Sequence, residues 1–153
     1  HVTEMIKNVV DSSMTAFKGK DLEIDVELQN INLKWLWEER RFSRILINLL
    51  DHACKFSHVE GYIVISAKSV NNNLVISVKD QGVGFSKKLD VVSLSEISER
   101  GKKGTAGERT FGLGLEIVRS LVAFHKGDAW VTSAPNEGTL ITIQIPNLTQ
   151  KVE

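Results

Sequence analysis

Residues 48 to 57 read NLLDHACKFS, and they close a longer run, RRFSRILINLLDHACKF, in which Phe42, Ile45, Leu46, Leu49 and Ala53 recur at spacings of three and four. That period belongs to an amphipathic helix with one apolar stripe. Asn48, His52 and Lys55, spaced four and three apart, form a polar stripe beside it. Such a stripe either lines a pocket or is an ordinary solvated edge, and the helix alone does not decide between them.

Working outward, Met5, Ile6, Val9, Val10, Met14 and Phe17 give residues 4 to 17 helical spacing, and Lys-Gly-Lys at 18 to 20 stops the run. LEIDVEL at 22 to 28 alternates strictly and predicts a strand. After the central helix, YIVISAKS and LVISVKD predict two strands joined at Asn71-Asn72-Asn73, a hairpin turn. From 81 to 110 glycine, lysine, serine and charge dominate, so this stretch is expected to be a functional lid, about 86 to 110, or disordered. A third helix is expected from about 112 to 125, with Leu115, Val118, Leu121 and Val122 as its apolar set. DAWVTSA and TLITIQI flank Pro135-Asn136-Glu137-Gly138 as a final hairpin. This order points to helices layered on one mostly antiparallel sheet.

The 153 residues, 42% hydrophobic and 25% charged, suit a single domain over the whole chain. Lys plus Arg and Asp plus Glu both total 19, so no global field favours nucleic acid or an anionic membrane. Phosphate binding must then be local. The single cysteine, Cys54, excludes an internal disulfide framework and fits a reducing compartment. No apolar run approaches the ~20 residues that span a bilayer, and the opening His1 suggests a piece of something longer.

Two further segments bear on chemistry. In LVISVKD the alternation puts Asp80 on the same face as Leu74, Ile76 and Val78, so an apolar row ends in a carboxylate. A buried carboxylate needs a partner, and a ligand amino group is one candidate where Gly82 and Gly84 let a planar ring approach the backbone. A plain strand-end turn is the other reading. FGLGL at 111 to 115 opens a helix, whose free amides and positive dipole end could hold phosphate. A helix start that merely contains glycines reads the same way.

In this order and spacing the three pieces resemble the catalytic, ATP-binding domain of sensor histidine kinases, within the superfamily that includes Hsp90-type chaperones, type II topoisomerases and mismatch-repair ATPases. NLLDHACKFS is similar to the family's N box, DQGVGF to its first glycine box, and GTAGERTFGLGLEIV to its lid end and second glycine box. LVAFHKGDAWVTSAPNEGTLITIQIP is similar to its closing segment. The resemblance implies an α/β fold, a two-layer sandwich with helices on one face of a mixed, mostly antiparallel sheet. It implies ATP and Mg2+ as cofactors. Asp80 would accept from the adenine amino group, Gly82 and Gly84 would shape the pocket, and Phe56 would pack near the base. Asn48, His52 and Lys55 would form the catalytic set at the phosphates, with Asn48 and His52 at the metal. Gly112, Leu113, Gly114 and Leu115 would bring the helix start to the phosphates. The γ-phosphoryl group would pass to a histidine on the parent's own dimerisation domain, which these residues lack, and then to a response regulator. A monomeric, cytoplasmic fragment of a homodimeric parent is implied.

Three departures from the family pattern stand out. His52 occupies a position where asparagine is usual, and imidazole suits zinc, copper or nickel better than magnesium, a hard ion that prefers oxygen. Thr110 and Phe111 replace a further glycine, where side chains would crowd the phosphates. The lid offers Leu89, Val91, Val92, Leu94 and Ile97 in place of a phenylalanine-rich segment. His1, His58 and His125 sit in no phosphoacceptor context. The competing reading is a degenerate module that binds a protein partner without catalysis; a third is another branch of the superfamily.

Overall fold

The computed structural model describes residues 2–29, 39–102 and 108–146, with the backbone alone described for 99–102, 108–111 and 113. His1, the lid residues 103 to 107 and the side chains of Thr110, Phe111 and Leu113 therefore lie outside the described residues.

Helix α1 (Val2–Ala16) is followed by a 3-10 turn (Lys18–Lys20) and strand β1 (Glu23–Gln29). Helix α2 (Glu39–Phe56) leads to the hairpin of β2 (Tyr62–Val70) and β3 (Asn73–Asp80). Then come β4 (Leu89–Ser93), α3 (Leu94–Lys102), α4 (Glu108–Phe124) and the hairpin of β5 (Asp128–Ala134) and β6 (Gly138–Pro146). The six strands form one sheet in the order β1-β2-β3-β6-β5-β4. Only β1 and β2 run parallel, joined through α2; the other pairs are antiparallel. The expected mixed, mostly antiparallel sheet is present.

Alternation sorts the strands into two faces. Ile63, Ile65 and Ala67 of β2, Leu74, Ile76 and Val78 of β3, and Ile141, Ile143 and Ile145 of β6 are buried, with their half-exposed neighbours on the other face. Phe42, Ile45, Leu46, Leu49 and Leu50 of α2, with Ile6 and Val9 of α1 and Leu115 and Val118 of α4, complete the core. Each such side chain contributes about 1.5–3 kcal/mol when fully buried. The β2–β3 turn places Asn71 (φ 49) and Asn72 (φ 65) in the left-handed region, the conformation that matches strand twist in a two-residue hairpin.

The stretch expected to be lid or disorder is corrected in part. Residues 89 to 93 are an edge strand on β5, and 94 to 102 are a helix. Leu89, Leu94 and Ile97 are buried, and Ser98 Oγ donates to Glu116 Oε1 of α4 at 2.7 Å. A register shift between Leu89 and Val92, with Val91 at φ 50, breaks the period-two pattern by which β4 would have been recognised.

Candidate functional site

The expected site residues lie at the end of β3, on the last turns of α2 and in the first part of α4. Asp80, on the core face of β3 as the alternation required, is 3% exposed. Its register partners are Ile63 on β2 and Thr139 on β6. Gly82 N donates to Asp80 Oδ1 at 2.9 Å. Burial pushes the Asp80 carboxyl above its ordinary value of 3.8, opposed by hydrogen bonds from the Gly82 and Thr139 backbone and by the field of His58.

The turn after Asp80 is fitted against backbone on both sides. A Cβ on Gly82 would lie 2.0 Å from the carbonyl oxygen of Phe56, and one on Gly84 would lie 2.1 Å from that of Ala134. Both glycines are therefore required by the chain's own packing. Val83 N donates to Phe56 O at 3.1 Å, and Asn136 N donates to Val83 O at 2.7 Å. Below the turn, Ser133 Oγ accepts from Phe85 N at 2.8 Å, donates to Gly138 O at 2.9 Å and meets Thr139 Oγ1 at 3.0 Å. Ser133, Thr139 and Phe85 were absent from the expected site. Phe85 closes the quoted DQGVGF, and no periodicity of the sequence marked it, since it is buried while Val83 two residues earlier is exposed.

The stripe Asn48, His52 and Lys55 splits. Lys55 is exposed and Asn48 half-buried, whereas His52 is only 9% exposed and so is no part of a solvated edge. Its ring centroid lies 4.9 Å from that of half-buried Phe56 and 6.0 Å from that of Phe85, which is 1% exposed. Lys55 Nζ stands 5.5 Å from the Phe56 ring centroid. Asn48 Nδ2 donates to Arg44 O at 2.8 Å. A Cβ on Gly114 would lie 3.2 Å from Asn48 Oδ1, so the start of α4 lies against Asn48.

Gly112 has φ 55 and ψ −176, a conformation essentially confined to glycine, and breaks α4 after a first turn at 108 to 111, so the helix expected from about 112 is preceded by a further helical turn and resumes after Gly112. Among the described residues, a Cβ there would meet nothing within 4 Å. Leu115 is fully buried in the core. The amide oxygen of Asn48 suits magnesium; the imidazole of His52, packed against two phenyl rings, does not. Among the described residues no group of three or more His, Cys, Asp or Glu side chains could hold a metal ion.

The arrangement therefore offers a buried carboxylate at one end and, at the other, the backbone break at Gly112 with Gly114 against an amide, with Lys55 exposed on the same helix as that amide. Comparison with known proteins identifies it. Residues 37–149 match the family described as histidine kinase-, DNA gyrase B- and HSP90-like ATPases. The chain is 34% identical over 135 residues to the adaptive-response sensory kinase SasA of Synechococcus sp. strain CC9902, covering 84% of this chain and 33% of that one. It is 30% identical over 146 residues to the heme sensor protein HssS of Staphylococcus aureus strain Newman, covering 95% and 31%. The chain thus spans about a third of these relatives. The catalytic domain of histidine kinase ThkA superposes with a TM-score of 0.75 at 22% identity, over 96% of this chain and 94% of that one. Full-length ShkA in complex with AMPPNP gives a TM-score of 0.74 at 23% identity, over 95% and 30%. The chain belongs to the histidine kinase-, DNA gyrase B- and HSP90-like ATPase family, as a catalytic, ATP-binding domain of the sensor histidine kinase type.

Proposed function

We propose that the domain binds ATP between Asp80 and the head of α4 and presents its γ-phosphate to a histidine on a separate dimerisation domain of a longer parent. The observation that carries this reading is Asp80, a carboxylate 3% exposed at the end of an apolar row. Backbone hydrogen bonds from Gly82 and Thr139 hold it in place, and the adenine amino group supplies a further donor to it. Phe56 supplies an aromatic wall for the base. Gly112, Leu113 and Gly114 offer main-chain amides at a helix start to the phosphates, and Lys55 offers a cation. When bound, ATP supplies the phosphoryl group; the residues position it and balance its charge.

Asn48 Oδ1 would hold a magnesium ion brought with the nucleotide phosphates, and the ion would neutralise their charge, while His52 packs with the aromatic wall. The parent's response regulator then receives the phosphoryl group, and the domain works in the cytoplasm; no helix among the described residues is long and apolar enough to cross a membrane. The complex of ShkA with AMPPNP supports nucleotide binding in this fold. Calorimetric titration of the domain with ATP, with and without magnesium, tests the reading. Saturable binding strengthened by magnesium is expected, and heats indistinguishable from dilution in both conditions would refute it.

A further inference from the structure

The end of α2 is held from outside by one side chain. Lys20 Nζ donates to Cys54 O at 3.0 Å, to Lys55 O at 2.7 Å and to Ser57 O at 2.8 Å. An ammonium group has three N–H bonds, and all three are used. The last carbonyls of a helix have no partner within it and carry the negative end of its dipole, so a cation there is doubly favoured. Ala53 O accepts from Ser57 N and Ser57 Oγ, and Phe56 O accepts from Val83 N. Every carbonyl from Ala53 to Ser57 is thereby engaged. Lys20 is itself anchored, since its carbonyl accepts from Glu60 N at 2.6 Å.

The carbonyl that Lys20 leaves out, Phe56 O, is the one against which the Gly82–Val83 turn is fitted. That turn also holds Asp80, through Gly82 N. The helix end and the buried carboxylate are thus two sides of one joint, and Lys20 grips the helix side.

We infer that Lys20 is a positioning residue for the nucleotide cleft, fixing the C-terminal turn of α2, with Lys55 and Phe56, against the Asp80–Val83 turn so that both ends of ATP are met at once. This rests on the ATP-binding reading above. Lys20 acts through the backbone carbonyls of Cys54, Lys55 and Ser57.

The test uses Lys20→Met, which keeps the apolar stem and removes the donors, and Lys20→Arg, which keeps the charge. For each 153-residue domain, amide exchange at Val83 and at Ile76 in the sheet centre is followed by NMR, and ATP affinity is measured by calorimetry at a temperature where the domain is fully folded. Lys20→Met is expected to speed exchange at Val83 about tenfold with Ile76 unchanged, and to weaken ATP binding about tenfold. Lys20→Arg should recover most of both.

Unchanged ATP affinity in folded Lys20→Met would overturn the inference. So would acceleration of Val83 and Ile76 together, which marks a purely global loss of stability. If the unaltered domain binds no ATP, the functional reading fails and the nucleotide role of Lys20 fails with it, while exchange at Val83 still decides whether Lys20 clamps the joint.

Discussion

Replacing Gly82 by alanine would drive a methyl group into backbone. The new Cβ would lie 2.0 Å from Phe56 O, 2.7 Å from Phe56 C and 3.0 Å from Ser57 Cα. Ordinary contact begins near 3.4 Å, so the helix end and the turn must separate by about 1.4 Å, and no side chain can rotate away to relieve it. Overpacking of this kind costs about 1–3 kcal/mol. Separation also breaks the Val83 N–Phe56 O bond and strains Gly82 N–Asp80 Oδ1, at about 1 kcal/mol each. The expected loss is about 3–5 kcal/mol, a large part of the ~5–15 kcal/mol that a domain possesses. Urea denaturation followed by tryptophan fluorescence reads it directly. With a slope of about 2 kcal/mol per molar, the midpoint should fall by roughly 2 M. A variant within about 0.5 kcal/mol of the unaltered domain would refute the argument that this glycine is there for backbone packing.

Three other outcomes follow from the same geometry. His52→Asn exchanges a ring packed on Phe56 and Phe85 for an amide oxygen, so magnesium-dependent ATP affinity should rise about tenfold while stability falls; unchanged affinity by calorimetry would count against the metal argument. Ser133→Ala strands the Phe85 N–H and should cost about 1–3 kcal/mol in urea denaturation, whereas a neutral result would mean that the hydroxyl network does not support the turn. Burial pushes the Cys54 thiol from 9.0 up to about 11, with the Asp51 charge adding to the shift, so the unfolded chain ionises first and folding stability should be lost as pH rises from about 9 to 11. Other groups titrate there too, so the check is the difference from Cys54→Ala, which should lack that part of the slope; identical slopes would contradict the assignment.

What the sequence made legible followed periodicity. The hairpins β2–β3 and β5–β6 alternate cleanly on one covered face, and α2 carries an unbroken stripe at three and four, so their bounds fell within a residue or two. Asp80 followed from counting by two along β3. Strand β4 was hidden because a bulge at Val91 destroys alternation, and α3 because only Leu94 and Ile97 anchor its apolar side. His52 stands three residues after Leu49 and four before Phe56, on the border of the apolar stripe, and the pattern along α2 carries no sign of Phe85, which packs near it from another element. Lys20 was read as a helix stop; its partners lie 34 to 37 residues further on, a distance at which local pattern carries no signal.

The most direct test of the account is a calorimetric comparison of ATP with inosine triphosphate, in magnesium, on the unaltered domain and on Asp80→Ala. The two nucleotides differ at the group facing Asp80, an amino donor in one and a carbonyl acceptor in the other. A site built around a buried acceptor discriminates strongly against a ligand lacking the donor. The account predicts that ATP binds at least about tenfold more tightly than inosine triphosphate, and that Asp80→Ala removes the preference. Equal affinities in the unaltered domain, or a preference that survives the loss of Asp80, would contradict it.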